Sequence, residues 1–330
     1  MASMTQTSLV LFVYILAFVT GVPSNLLALH TIVVKVHQKP SPVGIFLLNL
    51  TISDLLLLFF LPFKMVEAAS DMTWPMPHFL CPIVVVVYFC SIYISSLFLT
   101  AISIERYMGV AHPIKYRASK KIAYAIWVSV FIWVFSALQG SVSVFVLTLL
   151  PSNVSHQDRC YQSFSKEQSR ILMPFRLEGS IVLFCIPFII TAFCYVSFVR
   201  LLMAMPNIRR KRKHRAVCLA VATLFNFTLC FLPYNVSHIV GFITDRSPRW
   251  RVYALLLSTL NASIDPIVFY YSSTAVQRAF IKCLQDVKKK LNIVNSTKTQ
   301  MEMSQFSDTQ TAYEREGASN PSCNSLLMSN

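Results

Sequence analysis

Charge is what this sequence has least of. Asp, Glu, Lys and Arg together make up 13% of its 330 residues, while 55% are hydrophobic. A soluble domain carries about 25% charged residues, and half that share does not cover a surface facing water on every side. The composition therefore excludes an ordinary cytosolic enzyme. It also excludes disorder as the dominant state, which requires few apolar side chains. A polytopic membrane protein remains. Acidic residues are the scarcer sign, 14 against 29 Lys and Arg, for a formal net charge of +15. That excess alone admits nucleic acid as a partner. Zinc-ligand spacing and interleaved aromatic and basic residues are both missing, so basic loops facing anionic lipid and acidic partners explain it better.

Other absences narrow the reading. Met1–Ser8 has no Lys or Arg, so no basic n-region of a cleavable signal is expected, and the next apolar stretch is long enough to span. The nine cysteines are an odd number, which excludes a closed disulfide framework. Cys90, Cys185, Cys194, Cys218 and Cys230 sit in apolar runs and read as small buried hydrophobes, whereas Cys81 and Cys160 flank such runs. No internal repeat is visible, which argues against a transporter built from duplicated halves. No nucleophile–base–orienter set and no metal-ligand cluster is present, so no enzyme is indicated.

What is present is seven apolar runs, at residues 9–34, 43–66, 79–104, 122–148, 172–202, 216–243 and 252–272. Each meets the requirement of about 20 apolar residues for a helix crossing the hydrocarbon core. The predicted fold class is an all-α membrane protein, a seven-helix bundle over residues 9–273 after a short outer segment at 1–8. Pro23, Pro62, Pro187, Pro233 and Pro266 lie inside runs, where a membrane bundle tolerates the kink. One set of loops holds Lys35, Lys39, Lys115, Arg117, Lys120, Lys121 and the cluster Arg209–Arg215. That asymmetry places the N-terminus outside and the C-terminus inside a plasma membrane. Residues 274–290 read as an amphipathic membrane-surface helix, on which Cys283 is a palmitoylation site or a free thiol. Residues 291–330 read as a disordered cytoplasmic tail open to phosphorylation. Of six Asn-x-Ser/Thr triplets, only Asn153 falls in an outer loop, so it is the glycosylation candidate.

Ionisable groups inside a span are costly and point to function. Asp54 and Asp265 lie within spans two and seven, with Asn25 at matching depth in span one. Two carboxylates in one low-dielectric bundle do not both ionise without help. With Ser95 and Asn261 they form either a Na⁺ site near Asp54, a shared-proton pair, or a satisfied structural network. Glu105-Arg106-Tyr107 ends span three, where Glu105 can hold Arg106 until a change of state releases it to a partner.

Taken in order, Asn25, Leu50-x-x-x-Asp54, Cys81, Glu105-Arg106-Tyr107, Trp133, Pro187 with Tyr195, Cys230-Phe231-Leu232-Pro233 and Asp265-Pro266 resemble the rhodopsin-class G-protein-coupled receptors. The resemblance implies a Cys81–Cys160 disulfide and a G-protein switch at Glu105, Arg106, Tyr107 and Tyr195. It also implies arrestin and receptor-kinase binding through the tail. Two positions depart from the pattern: Phe231 replaces the usual Trp, and Phe269 replaces the Tyr that closes Asp-Pro-x-x-Tyr.

The outer halves of the spans exclude some ligands. Span seven lacks a Lys for a retinal Schiff base, and Tyr88 stands where amine receptors of this class carry Asp. Arg176, His238 and Arg251 lie outward of Pro187, Pro233 and Pro266 by roughly 16, 7–8 and 22 Å at 1.5 Å per residue. Two guanidiniums and an imidazole suit a small carboxylate. The bland alternatives are a snorkelling Arg176, an interfacial anchor at Arg251 beside Trp250, and a structural His238. Leu61–Ala69, Pro174–Glu178, Pro233–His238 and Leu260–Pro266 resemble the free fatty acid receptors, most closely the short-chain branch of types 2 and 3. That resemblance assigns the ligand carboxylate to Arg176, Arg251 and His238. It places Tyr88, Phe89, Tyr93, Gln139, Tyr234 and Asn235 around the pocket. The expected function is a receptor for short-chain fatty acids. The alternatives are the same fold sensing a hydroxy acid or nucleotide, or a carboxylate transporter.

Overall fold

The computed structural model describes residues 4–118, 122–149, 160, 165–206, 208–272, 274, 276–286 and 288–289. Asn153, Lys120, Lys121, residues 1–3 and the segment 291–330 lie outside them. Among the described residues every regular element is helical. The helices are α1 (Met4–Gln38), α2 (Pro42–Ala69), α3 (Leu80–Ala111), the short α4 (Pro113–Ala118) and α5 (Ile122–Leu149). They continue with α6 (Lys166–Ala204) and α7 (Arg210–Thr244), then α8 (Arg251–Thr259) and α9 (Asn261–Ser272), which break at Leu260. Among the described residues seven helical stretches are long and apolar enough to cross a membrane, α8 and α9 counting as one. Residues from Arg278 onward form a separate unit, helical where described, and its Cys283 is an exposed free thiol.

The helices outlast the apolar runs because polar residues can end them. Ser41 caps α2, its Oγ accepting from Gly44 N at 3.2 Å, with Pro42 in the first turn, where a missing N–H costs nothing. α6 begins six residues before its apolar run. Ser165 and Gln168 form a reciprocal capping box there, satisfying two otherwise orphaned donors.

The prolines of α6 and α7 do more than kink them. A π-helical turn, Ile181–Cys185, precedes Pro187, and another, Phe227–Phe231, precedes Pro233. Proline has no N–H to offer the carbonyl four residues back. Leu183 O instead accepts from Ser96 Oγ at 3.0 Å, and Cys230 O in the second turn accepts from Ser258 Oγ at 2.7 Å. Phe184, Phe188, Phe227 and Phe231 pack the two turns together, with centroid spacings of 5.5–6.2 Å.

α3 runs through the middle, against α2, α5 and α6. Where α5 crosses it, a Cβ on Gly140 would overlap Cys90 Sγ, so only glycine permits that approach. The outer face of α5 is apolar, with Trp127 73% and Phe131 64% exposed. Such a face is unfavourable in water and ordinary against hydrocarbon.

Candidate ligand-binding site

A cavity of about 320 Å³ opens among the helices, lined in part by Tyr88, Phe89, Tyr93, Gln139, Arg176, Tyr234, His238 and Arg251. Tyr234 is its platform. Arg251, at the start of α8, donates from Nη2 to the Tyr234 hydroxyl at 3.4 Å, and its guanidinium carbon lies 5.5 Å from the ring centroid. Its Nη1 donates to Ser247 Oγ at 3.4 Å. His238, one turn on from Tyr234, sets its ring edge-on at 4.5 Å. It is buried, with Nδ1 lacking a hydrogen-bond partner. Arg176 of α6 lies within electrostatic reach of Arg251, Tyr234 and Tyr93. Phe89 also stacks on Tyr234, with ring centroids 6.0 Å apart. Two guanidiniums and an imidazole from three helices thus surround one phenol. Like charges held in a partly apolar cleft gain by taking up an anion, through charge-assisted hydrogen bonds.

Other polar groups at the cavity pair with neighbours. Gln139 Nε2 donates to Glu178 Oε2 at 2.9 Å. Lys64 and Glu67 form an ion pair of 2.7 Å on α2, and the Tyr88 hydroxyl pairs with Thr259 Oγ1. Cys160, disulfide-bonded to Cys81 at the start of α3, also lines the cavity.

Below the cavity lies a buried polar core. Asn25 Nδ2 donates to Ala262 O at 2.7 Å. Asn226 Nδ2 donates to Asn261 Oδ1 and to Asp265 Oδ1, both at 2.7 Å. Asp54 lies within electrostatic reach of Asp265. Asp54 and Asp265 lie within side-chain hydrogen-bonding reach of each other, a contact that one shared proton makes, and Asn25 Oδ1 and Ser95 Oγ are buried without a hydrogen-bond partner. Such a cluster of oxygens is also the ligand type a hard cation such as Na⁺ takes. At the far end Glu105 Oε2 accepts from Tyr116 OH at 2.7 Å. Burial and the Glu105 carboxylate push the Tyr116 phenol pKa up, so it remains a donor. Arg106 lies within electrostatic reach of Tyr195 and Arg215. Thr223 Oγ1 donates to Tyr195 OH at 3.3 Å, and Tyr107 packs on Phe193 at 5.8 Å.

Residues 24–269 match the family model for the 7 transmembrane receptor (rhodopsin family). Human free fatty acid receptor 3 is 48% identical over 277 residues, 83% of this chain and 79% of the relative. The chain belongs to the rhodopsin family, in its free fatty acid receptor branch. Mouse free fatty acid receptor 2 is 45% identical over 283 residues, 84% of this chain and 86% of the relative. Human free fatty acid receptor 2 is 44% identical over 287 residues, 85% and 86% of the two chains. The protein is a multi-pass G-protein-coupled receptor of the cell membrane and not an enzyme.

Of the residues expected at this receptor's pocket, all but one border the cavity. The exception is Asn235. It is buried, its Nδ2 turned back onto Phe231 O of its own helix at 2.9 Å, while its carbonyl accepts from Ser180 Oγ at 3.2 Å. Consecutive residues of a helix point about 100° apart, so Tyr234 and Asn235 do not share a face. Lys64, Glu67 and Tyr14 also line the cavity and were not anticipated there, nor was Thr259 as the partner of the Tyr88 hydroxyl. For Lys64 and Glu67 a signal existed, since two ionisable residues three apart at the end of an apolar run require a partner or a function.

Proposed function

We propose that this receptor is activated by short-chain fatty acids of the acetate, propionate and butyrate class and signals through heterotrimeric G proteins. The observation that carries the reading is the convergence of Arg176, Arg251 and His238 on Tyr234 within one cavity. The ligand carboxylate accepts from the guanidiniums and from His238, and its short acyl chain lies against Phe89 and Tyr93. The relatives' names, free fatty acid receptors 2 and 3, support the same chemistry.

The ligand binds the active arrangement more tightly and shifts a pre-existing equilibrium. The π turns of α6 and α7 are the weak points at which those helices rearrange. Arg106 and the basic stretch Arg209–Arg215 then meet the G protein on the cytoplasmic side, the N-terminus being extracellular. The oxygen-rich core at Asp54 and Asp265 holds Na⁺ in the resting state, with Ser95 and Asn25 as supporting oxygens. The segment 291–330 recruits arrestin and receptor kinases, Asn153 carries glycan, and Cys283 carries palmitate.

The test is nucleotide exchange on a G protein in membranes containing the receptor, with propionate titrated against propionamide. The two ligands are close in size and differ in the charge the arginines read. Propionate is expected to activate and propionamide to be inert. Arg176→Ala or Arg251→Ala removes a charge-assisted hydrogen bond of about 1.5–3 kcal/mol, roughly ten- to hundredfold in half-maximal concentration. Equal potency of the two ligands would overturn the reading.

A further inference from the structure

Among the described residues six cysteines are free, and all but Cys218 have an ordinary place. Cys90, Cys194 and Cys230 are buried, as small apolar side chains are. Cys185 lies among apolar residues in the π turn of α6, and Cys283 is exposed with no histidine within four residues. Cys218 departs from the buried hydrophobe that its apolar run implies. It is partly exposed, and His214, one turn earlier on α7, brings Nδ1 to 3.2 Å from its Sγ. Positions four apart share a helix face, so the backbone of α7 holds the pair together. His214 is itself exposed, which leaves both partners open to a reagent. The Tyr271 hydroxyl of α9 is also within side-chain hydrogen-bonding reach of Cys218. The thiol thus stands where α7 packs on α9. A thiol reacts as its thiolate, and an imidazole at hydrogen-bond distance is a group that takes its proton.

We infer that Cys218 is a covalent modification site for soft electrophiles of the α,β-unsaturated carbonyl class, with His214 as its proton acceptor. The Cys218 sulfur attacks the β-carbon, and a carbon–sulfur bond forms. The carbon–carbon π pair moves towards the carbonyl oxygen as an enolate. The thiol proton passes to His214 Nδ1 and from there to the α-carbon. One thiol and one enone give one thioether, so no oxidant or reductant takes part. The adduct displaces the Cys218–Tyr271 contact and wedges α7 away from α9. The step is separate from the fatty acid pocket and needs neither that ligand nor a G protein.

The experiment treats the full receptor in phosphatidylcholine nanodiscs with N-ethylmaleimide, an electrophile of this class. Peptide mass spectrometry follows the rate of addition at Cys218. His214→Gln is expected to slow that rate roughly tenfold or more near neutral pH. The gap closes in alkali, where hydroxide ionises a thiol without help. A purely steric role for His214 would give the same factor at every pH. The second readout is basal nucleotide exchange, with the reagent quenched before G protein is added. Exchange is expected to rise in the treated native receptor and to stay level in treated Cys218→Ser. Equal rates in the native chain and His214→Gln, or a gap that does not change with pH, overturn the inference. So does a basal exchange that is unchanged or lower once Cys218 is modified, or a rise that persists in Cys218→Ser.

Discussion

Arg251 is fixed to Tyr234 twice, by a 3.4 Å hydrogen bond to the phenol and by a guanidinium carbon 5.5 Å from the ring centroid. The two contacts separate experimentally. Tyr234→Phe keeps the ring and loses the hydroxyl, at about 0.5–1.5 kcal/mol, so the half-maximal propionate concentration rises roughly two- to twelvefold. Tyr234→Ala also removes the cation–π contact and the wall beside His238, and a larger loss is expected. Exchange assays on the two variants compare them directly.

The oxygen-rich core predicts a sodium response. Replacing sodium with choline at constant ionic strength is expected to raise basal nucleotide exchange in the native receptor. Asp54→Asn supplies a donor and removes a negative charge, so its basal rate becomes indifferent to the exchange. A sodium effect of equal size in Asp54→Asn contradicts the assignment.

Gly140→Ala places a methyl onto Cys90 Sγ. Overpacking of this kind costs about 1–3 kcal/mol, read as a lower melting temperature. The double variant Cys90→Ala/Gly140→Ala recovers most of the loss, because the clash has one named partner. Additive losses in the two single variants would place the strain elsewhere.

Tyr116→Phe leaves the buried Glu105 carboxylate without its 2.7 Å donor. An orphaned acceptor of this kind costs about 1–3 kcal/mol. The raised phenol pKa fixes the sign of the pH dependence. The folded state holds the Tyr116 proton more tightly than the unfolded chain does. Its contribution is full below the ordinary phenol range and is lost as pH rises through the raised folded-state value. The native-to-variant gap in melting temperature is therefore constant across neutral pH and narrows only in strong alkali.

Much of this was legible in the residues because the membrane makes the rule simple. A backbone in hydrocarbon must bond to itself, so seven apolar runs meant seven helices, and the scarce charges within them marked sites. Arg176 and His238 stood out for that reason, as did Asp54 and Asp265, while Arg251 stood at the outer edge of span seven. The part that was not legible depends on how helices face one another. The π turns before Pro187 and Pro233 leave no mark beyond the prolines, yet each inserts part of a turn and rotates the remainder of its helix. Tyr234 as the platform, Asn235 turned away and Lys64 paired beside the pocket all depend on register between helices, which one-dimensional spacing does not record. The polar start of α6 was missed because hydropathy sees the apolar run and not the Ser165–Gln168 box that begins the helix.

The central claim is that the cavity around Tyr234 binds a small carboxylate through its charge. The most direct measurement is the melting temperature of the purified receptor against propionate and propionamide, with no G protein present. Binding to the folded state alone raises stability with ligand concentration. A carboxylate site predicts a saturable rise with propionate, none with propionamide, and none with either ligand in Arg176→Gln. An equal rise with propionate and propionamide, or a propionate rise that survives in Arg176→Gln and Arg251→Gln, would contradict it.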